Sequence, residues 1–139
     1  MAALVPFVLH PSVTLAWCFE DEATPHTDAI LDLLAEDSAT VPALWELEVT
    51  NVLLLAERRG RLTESQSARF LALLTQLPIR IDTAGVDAGA VLDAGRHHAL
   101  TAYDCTYLLL AQREGIPLAS MDGKLRAAAH AVGIPLVGV

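Results

Sequence analysis

Short apolar runs alternate with longer helical patterns along the chain, and this alternation limits the fold more than any other feature. Residues 4–9 (LVPFVL), 79–82 (IRID), 116–119 (IPLA) and 134–137 (IPLV) have the length and composition of buried strands. Pro6 is tolerated near a strand start. Residues 12–19 read as a helix capped by Ser12, and a second helix follows over about 26–36. Val41-Pro42 opens a long helix with Leu44, Leu47, Val52 and Leu55 on or near one face, and Gly60 stops it. Thr63-Glu64-Ser65-Gln66 is a capping box that starts a helix running to about Leu77. Joined by Gly60-Arg61-Leu62, these two helices form a hairpin. Further helices are expected over 85–98, from Thr101 to Glu114 with Gly115 as its stop, and over 123–132 ahead of Gly133. Strands separated by helices imply an α/β layer fold, with a parallel sheet covered on both faces.

The chain has 139 residues, enough for one domain spanning 1–139 with a single core. Hydrophobic residues make up 53%, which excludes a disordered chain. No apolar run is long enough to cross a bilayer, and no basic residue precedes the first one as in a signal peptide. Cys18 and Cys105 fit no metal or redox spacing, so reduced thiols in a cytoplasmic protein are expected. Nine Lys and Arg stand against seventeen Asp and Glu, for a net charge of −8. That balance counts against a protein that grips nucleic acid by many phosphate contacts. It suits an enzyme that gathers carboxylates around a metal, or one with a basic partner.

In an open parallel sheet, sites form beyond the carboxyl ends of the strands, where the strand order reverses. His10 follows the first strand directly, and Ser120 to Asp122 follow IPLA. Glu48 lies one turn into the long helix and shares the apolar stripe of Leu44, Val52 and Leu55, with Asn51 one turn further on and within hydrogen-bonding reach. Each acid has an ordinary structural use. Glu48 fits an edge-of-core residue paired with Arg58 or Arg59. Asp104 fits the third position of a capping box, bonding the Thr101 amide. Asp122, before Gly123, fits a helix cap. Together, three carboxylates without a Cys or His ligand pattern suit a hard divalent cation such as magnesium or manganese, which takes oxygen ligands. Paired carboxylates also hydrolyse glycosides, but an aromatic content of 5% is poor for a sugar cleft. No phosphate-binding glycine loop or nucleophile elbow is present.

In order, the blocks FVLHPSVTLAW, PALWELEVTNVLLLAERRGRLT and LTAYDCTYLLLAQREGIPLASMDGKL resemble the PIN-domain proteins of the VapC type, the toxin half of VapBC toxin–antitoxin pairs. The resemblance runs from Val5 to Val137. It implies a three-layer α/β/α sandwich around a short parallel sheet, with a helical hairpin used for homodimer formation and antitoxin contact. It also implies a magnesium- or manganese-dependent endoribonuclease. The family's acidic set falls on Glu48, Asp104, Asp122 and on His10, where an Asp is expected. Its supporting polar residues fall on Ser12, Asn51 and Ser120. The implied partners are an RNA substrate and a VapB-type antitoxin whose Arg or Lys residues approach the acidic pocket. Arg58, Arg59, Arg61, Lys124 and Arg126 are the local basic residues available to RNA.

His10 is the departure from that pattern. A neutral imidazole offers one nitrogen where a carboxylate offers hard anionic oxygens, so magnesium affinity falls more than that for manganese or zinc. Three outcomes stay open from the sequence. The site is crippled, by drift or by deliberate substitution; or His10 ligates a transition metal; or acids of the Glu20-Asp21-Glu22 loop stand in for it. His97 and His98 fit solvated residues at a helix end rather than ligands.

Overall fold

Parallel pairing dominates the computed structural model, which describes residues 6–138. Strand β1 (Phe7–Leu9) is followed by helices α1 (Pro11–Ala16) and α2 (Pro25–Leu33) and by β2 (Ala39–Pro42). The hairpin helices α3 (Leu44–Arg58) and α4 (Glu64–Thr75) lead to β3 (Ile79–Asp82). Helices α5 (Ala88–His98) and α6 (Ala102–Glu114), strand β4 (Leu118–Ala119) and helix α7 (Gly123–Ala131) complete the order. Residues 4 and 5 of the expected first strand lie outside the described residues.

The sheet runs β3-β2-β1-β4, every pair parallel. From β1 the chain steps outward to β2 and β3, then returns to lay β4 on the other side of β1. The order therefore reverses between β1 and β4, and their carboxyl ends frame the expected site. Every residue of β1 and β2 is buried. Successive strand side chains point to opposite faces, so both faces of the sheet are covered, as the sandwich requires. Helix α6 packs on β1 and β2, and α1 packs against α3.

Local signals account for most boundaries. Thr63 and Gln66 form the reciprocal capping box. Gly115 adopts φ 65° at the end of α6, a left-handed conformation that glycine takes without a Cβ clash. Cys18 and Cys105 are free thiols. Among the described residues, no helix is long and apolar enough to cross a membrane.

Several expectations need correction. Val41 and Pro42 belong to strand β2 rather than opening the long helix. A fully buried central strand shows no polar alternation, and Pro before a helix imitates a helix start. The last expected strand, 134–137, contributes only a single bridge, Leu118 to Leu136. The buried stripe of α3 is Trp45, Val49, Leu53 and Ala56, not the Leu44, Leu47, Val52, Leu55 series. Leu47 is 75% exposed. The indole of Trp45, whose Nε1 donates to Thr14 Oγ1 at 3.1 Å, rotates the helix onto that face.

Candidate functional site

The turn after β1 holds the centre of the site. His10 caps the N-terminus of α1 from an extended backbone conformation, and its amide donates to the Ala119 carbonyl at 3.0 Å. That bond ties the end of β1 to the end of β4. The imidazole is almost fully buried, and both its nitrogens are engaged. Nδ1 accepts from the Ser12 amide at 3.2 Å and lies 2.8 Å from Ser12 Oγ. Nε2 lies 2.9 Å from Asp104 Oδ1. A backbone amide only donates, so Nδ1 presents its lone pair, and the ring proton sits on Nε2, directed at the carboxylate. Ser12 Oγ accepts from the Met121 amide at 2.9 Å, which leaves its own hydrogen for Nδ1. One imidazole and one hydroxyl thus join three segments: the β1–α1 turn, α6 and the β4–α7 turn.

Asp104 is the third residue of α6. Its amide bonds Thr101 Oγ1 at 3.1 Å, the expected first half of a capping box. The other half is not made, because the carboxylate turns to His10 instead. An imidazole N–H that reaches little water is the more demanding partner, whereas the Thr101 amide lies at an exposed helix end.

Glu48 reaches the site from α3. Its Oε1 accepts a 2.6 Å hydrogen bond from the hydroxyl of Tyr107, which is fully buried on α6 one turn beyond Asp104. The Tyr107 ring meets the His10 ring edge-on, with centroids 4.9 Å apart. Glu48, Tyr107, His10 and Asp104 therefore form one continuous line of contacts. Partial burial pushes the Glu48 carboxyl above the usual range; the Tyr107 hydrogen bond pulls it back in part, and the Asp104 charge adds to the rise. Burial, reinforced by the Glu48 hydrogen bond and charge, drives the Tyr107 hydroxyl far above its ordinary value, so it is a fixed donor.

Ser120 and Asp122 follow β4. Ser120 is fully buried, and its hydroxyl accepts from the Asp122 amide at 3.0 Å. Asp122 caps α7, with Oδ2 accepting from the Leu125 amide at 2.9 Å. Arg126 Nη1 donates to the Ser120 carbonyl at 2.9 Å and so fixes this turn.

The fold thus brings His10, Ser12, Asp104, Ser120 and Asp122 to the reversal point of the sheet, with Glu48 joined through Tyr107. Asn51 does not join them: it is exposed and makes no hydrogen bond with Glu48. Arg58 and Arg59 do not pair with Glu48 either, whose hydrogen-bond partner is Tyr107. The acidic loop is engaged elsewhere. Arg61 Nη2 lies 3.2 Å from Asp21 and 3.5 Å from Glu22, and its guanidinium stacks 4.3 Å over the Phe19 ring. Those acids do not stand in at His10, and Arg61 is largely neutralised. Tyr107 escaped the sequence because it sits in the apolar run YLLLA. The available signal was a phenol three residues after Asp104 on a buried helix face, where its hydroxyl needs a partner.

A hard divalent cation needs converging oxygens whose lone pairs are free. Here one Asp104 oxygen accepts a hydrogen bond from His10, one Glu48 oxygen accepts one from Tyr107, and one Asp122 oxygen caps a helix. Among the described residues, no three His, Cys, Asp or Glu side chains are grouped so as to hold a metal ion. As folded, these carboxylates do not converge on one point, and the arrangement does not fit a bound divalent cation.

A family model of the PIN domain matches residues 12–131. No curated protein sequence matches the chain significantly. Fourteen solved chains share its fold. One is the crystal structure of PAE2754 from Pyrobaculum aerophilum, with a TM-score of 0.70 and 21% identity over 91% of this chain and 87% of that one. At that identity the likeness concerns the fold alone.

Proposed function

This chain belongs to the PIN-domain family, whose members are typically nucleases using divalent metal ions, and on that premise we propose that it is the VapC-type toxin half of a toxin–antitoxin pair, directed at RNA. The observation that supports this reading is that Asp104 meets His10 at the end of β1, that Glu48 is tied to the same turn through Tyr107, and that Asp122 follows the neighbouring end of β4. The reaction class is hydrolysis of RNA phosphodiester bonds. Its magnesium or manganese cofactor belongs to the family rather than to the arrangement seen here.

His10 supports a weakened version of that activity. Its proton satisfies the oxygen that a cation would take, so the protein's main acts are RNA engagement and occupation by its antitoxin. The runner-up is a fully active metal-dependent endoribonuclease. It is supported by the donor chemistry of the three carboxylates, with manganese tolerating the imidazole better than magnesium.

The partner surfaces have separate support. A net charge of −8 attracts a basic antitoxin segment and leaves RNA to local cations. Arg58, Arg59 and Lys124 are exposed and unpaired among the described residues. The hairpin shows Leu47, Leu54, Leu55, Leu71 and Leu73 to solvent, which favours its use in homodimer formation and antitoxin contact. The two free thiols suit a cytoplasmic location.

Cleavage of structured and tRNA-like RNAs, in magnesium and then in manganese, tests the proposal when run beside His10→Asp. The expected result is RNA binding by both proteins and faster cleavage by His10→Asp. Equal rates in magnesium would establish the runner-up. Absence of both binding and cleavage in both proteins would sink the ribonuclease assignment. A short reading frame immediately upstream, encoding a DNA-binding antitoxin, would support the pair.

A further inference from the structure

We propose that His10 takes the place of the cation: the imidazole is the resident partner of Asp104 and holds the carboxylate centre together without a divalent ion. The inference rests on the reading of Glu48, Asp104 and Asp122 as the functional centre, and goes beyond it by assigning what occupies that centre.

Ligation of a metal by His10 Nε2 needs the lone pair on that nitrogen, so the ring proton would have to move to Nδ1. At Nδ1 the proton would face the Ser12 amide, 3.2 Å away, which can only donate. Donor would oppose donor, and α1 would lose its N-cap. Ser12 Oγ offers no easy relief. It already accepts from the Met121 amide, and to accept from Nδ1 as well its own hydrogen would have to swing away from the ring. The tautomer is therefore set by the helix cap, and the cap requires the proton on the nitrogen that faces Asp104. The ring is nearly closed to water and meets Tyr107 edge-on, so turning Nε2 away from Asp104 would break these contacts.

The consequence is mechanical as well as chemical. In a centre built of carboxylates alone, like charges drawn to one place need a cation to hold them. Here the imidazole meets Asp104 on α6, and Ser12 Oγ, beside its other nitrogen, holds the β4–α7 turn, so the three segments are tied together without an ion.

Two measurements on the full chain test this. The first is the histidine long-range proton–nitrogen correlation spectrum of the wild type, with and without excess magnesium. His10 should show the Nε2–H tautomer in both. An Nδ1–H tautomer, or a magnesium-dependent change from one to the other, overturns the proposal. The second is manganese binding and thermal melting of wild type and His10→Asp. Wild-type melting should be the same in chelator and in manganese. His10→Asp should melt lower in chelator, rise with manganese, and bind the ion at least about tenfold more tightly. Wild-type binding as tight as that of His10→Asp overturns the proposal. If His10→Asp fails to fold, the wild-type spectrum still decides. If the RNA assignment is wrong, neither protein binds RNA, while the tautomer and metal results stand unaltered.

Discussion

The Tyr107 hydroxyl donates a 2.6 Å hydrogen bond to Glu48 Oε1 across 59 residues of sequence. It fixes a carboxylate of the hairpin to the helix that carries Asp104. It also sets the Tyr107 ring against His10. Replacing Tyr107 by Phe keeps the ring and removes the donor. Glu48 then keeps only its access to water, and stability falls by about 1–2 kcal/mol. Chemical denaturation of the two proteins at neutral pH measures the loss. An unchanged midpoint would show that water replaces the phenol fully.

Glu48 itself holds its proton more tightly in the folded protein than in the unfolded chain, chiefly because it is partly buried. The folded state therefore binds more protons, and stability is lost as pH rises from the ordinary glutamate value through the raised folded value. Glu48→Gln removes that loss while still accepting from Tyr107. Its melting temperature should exceed the wild type's at neutral pH, and the gap should close below the ordinary glutamate range. A gap that persists in acid would assign the effect to packing instead.

Asp122 combines a helix cap with a place in the proposed centre, and two substitutions separate these roles. Asn caps a helix as well as Asp does, so Asp122→Asn should melt like the wild type. Asp122→Ala should cost about 1 kcal/mol. In the His10→Asp background both should lower RNA cleavage, on the order of tenfold or more. If Asp122→Asn leaves that cleavage intact, Asp122 is only a cap.

Arg61 is committed to Asp21, Glu22 and the Phe19 ring, whereas Arg58, Arg59 and Lys124 are not paired. Alanine at any of the latter three should weaken RNA binding and flatten its salt dependence, by about one unit of slope for each phosphate no longer neutralised. Arg61→Ala should leave the slope unchanged and loosen the loop at Asp21 and Glu22. Binding titrations at several salt concentrations distinguish the two groups.

Much of the fold could be read directly. Thr63 and Gln66 form their capping box, Gly115 ends α6, and IRID is a strand. These features depend on a few neighbouring residues, whose backbone needs are met locally. Strand β2 was hidden because a buried strand with a proline at its end carries no period and mimics a helix start. The orientation of α3 was hidden because three leucines, Leu47, Leu54 and Leu55, lie on its outer side and stay exposed. A count of apolar residues cannot tell which face the sheet will cover.

The site divides in the same way. That polar residues follow the strands is written in the chain itself: His10 and Ser12 after β1, Ser120 and Asp122 after β4, and Asp104 at a helix start. Their placement follows from strand ends and caps, which are local. Their partners were settled by long-range packing alone. By local pattern Asp104 fits a capping box, yet its carboxylate meets the imidazole of His10, 94 residues away. The physical reason is that a buried donor must be satisfied by whichever acceptor the fold brings beside it. It is the sheet order, with β4 beside β1 and α6 packed across β1 and β2, that brings Asp104 there.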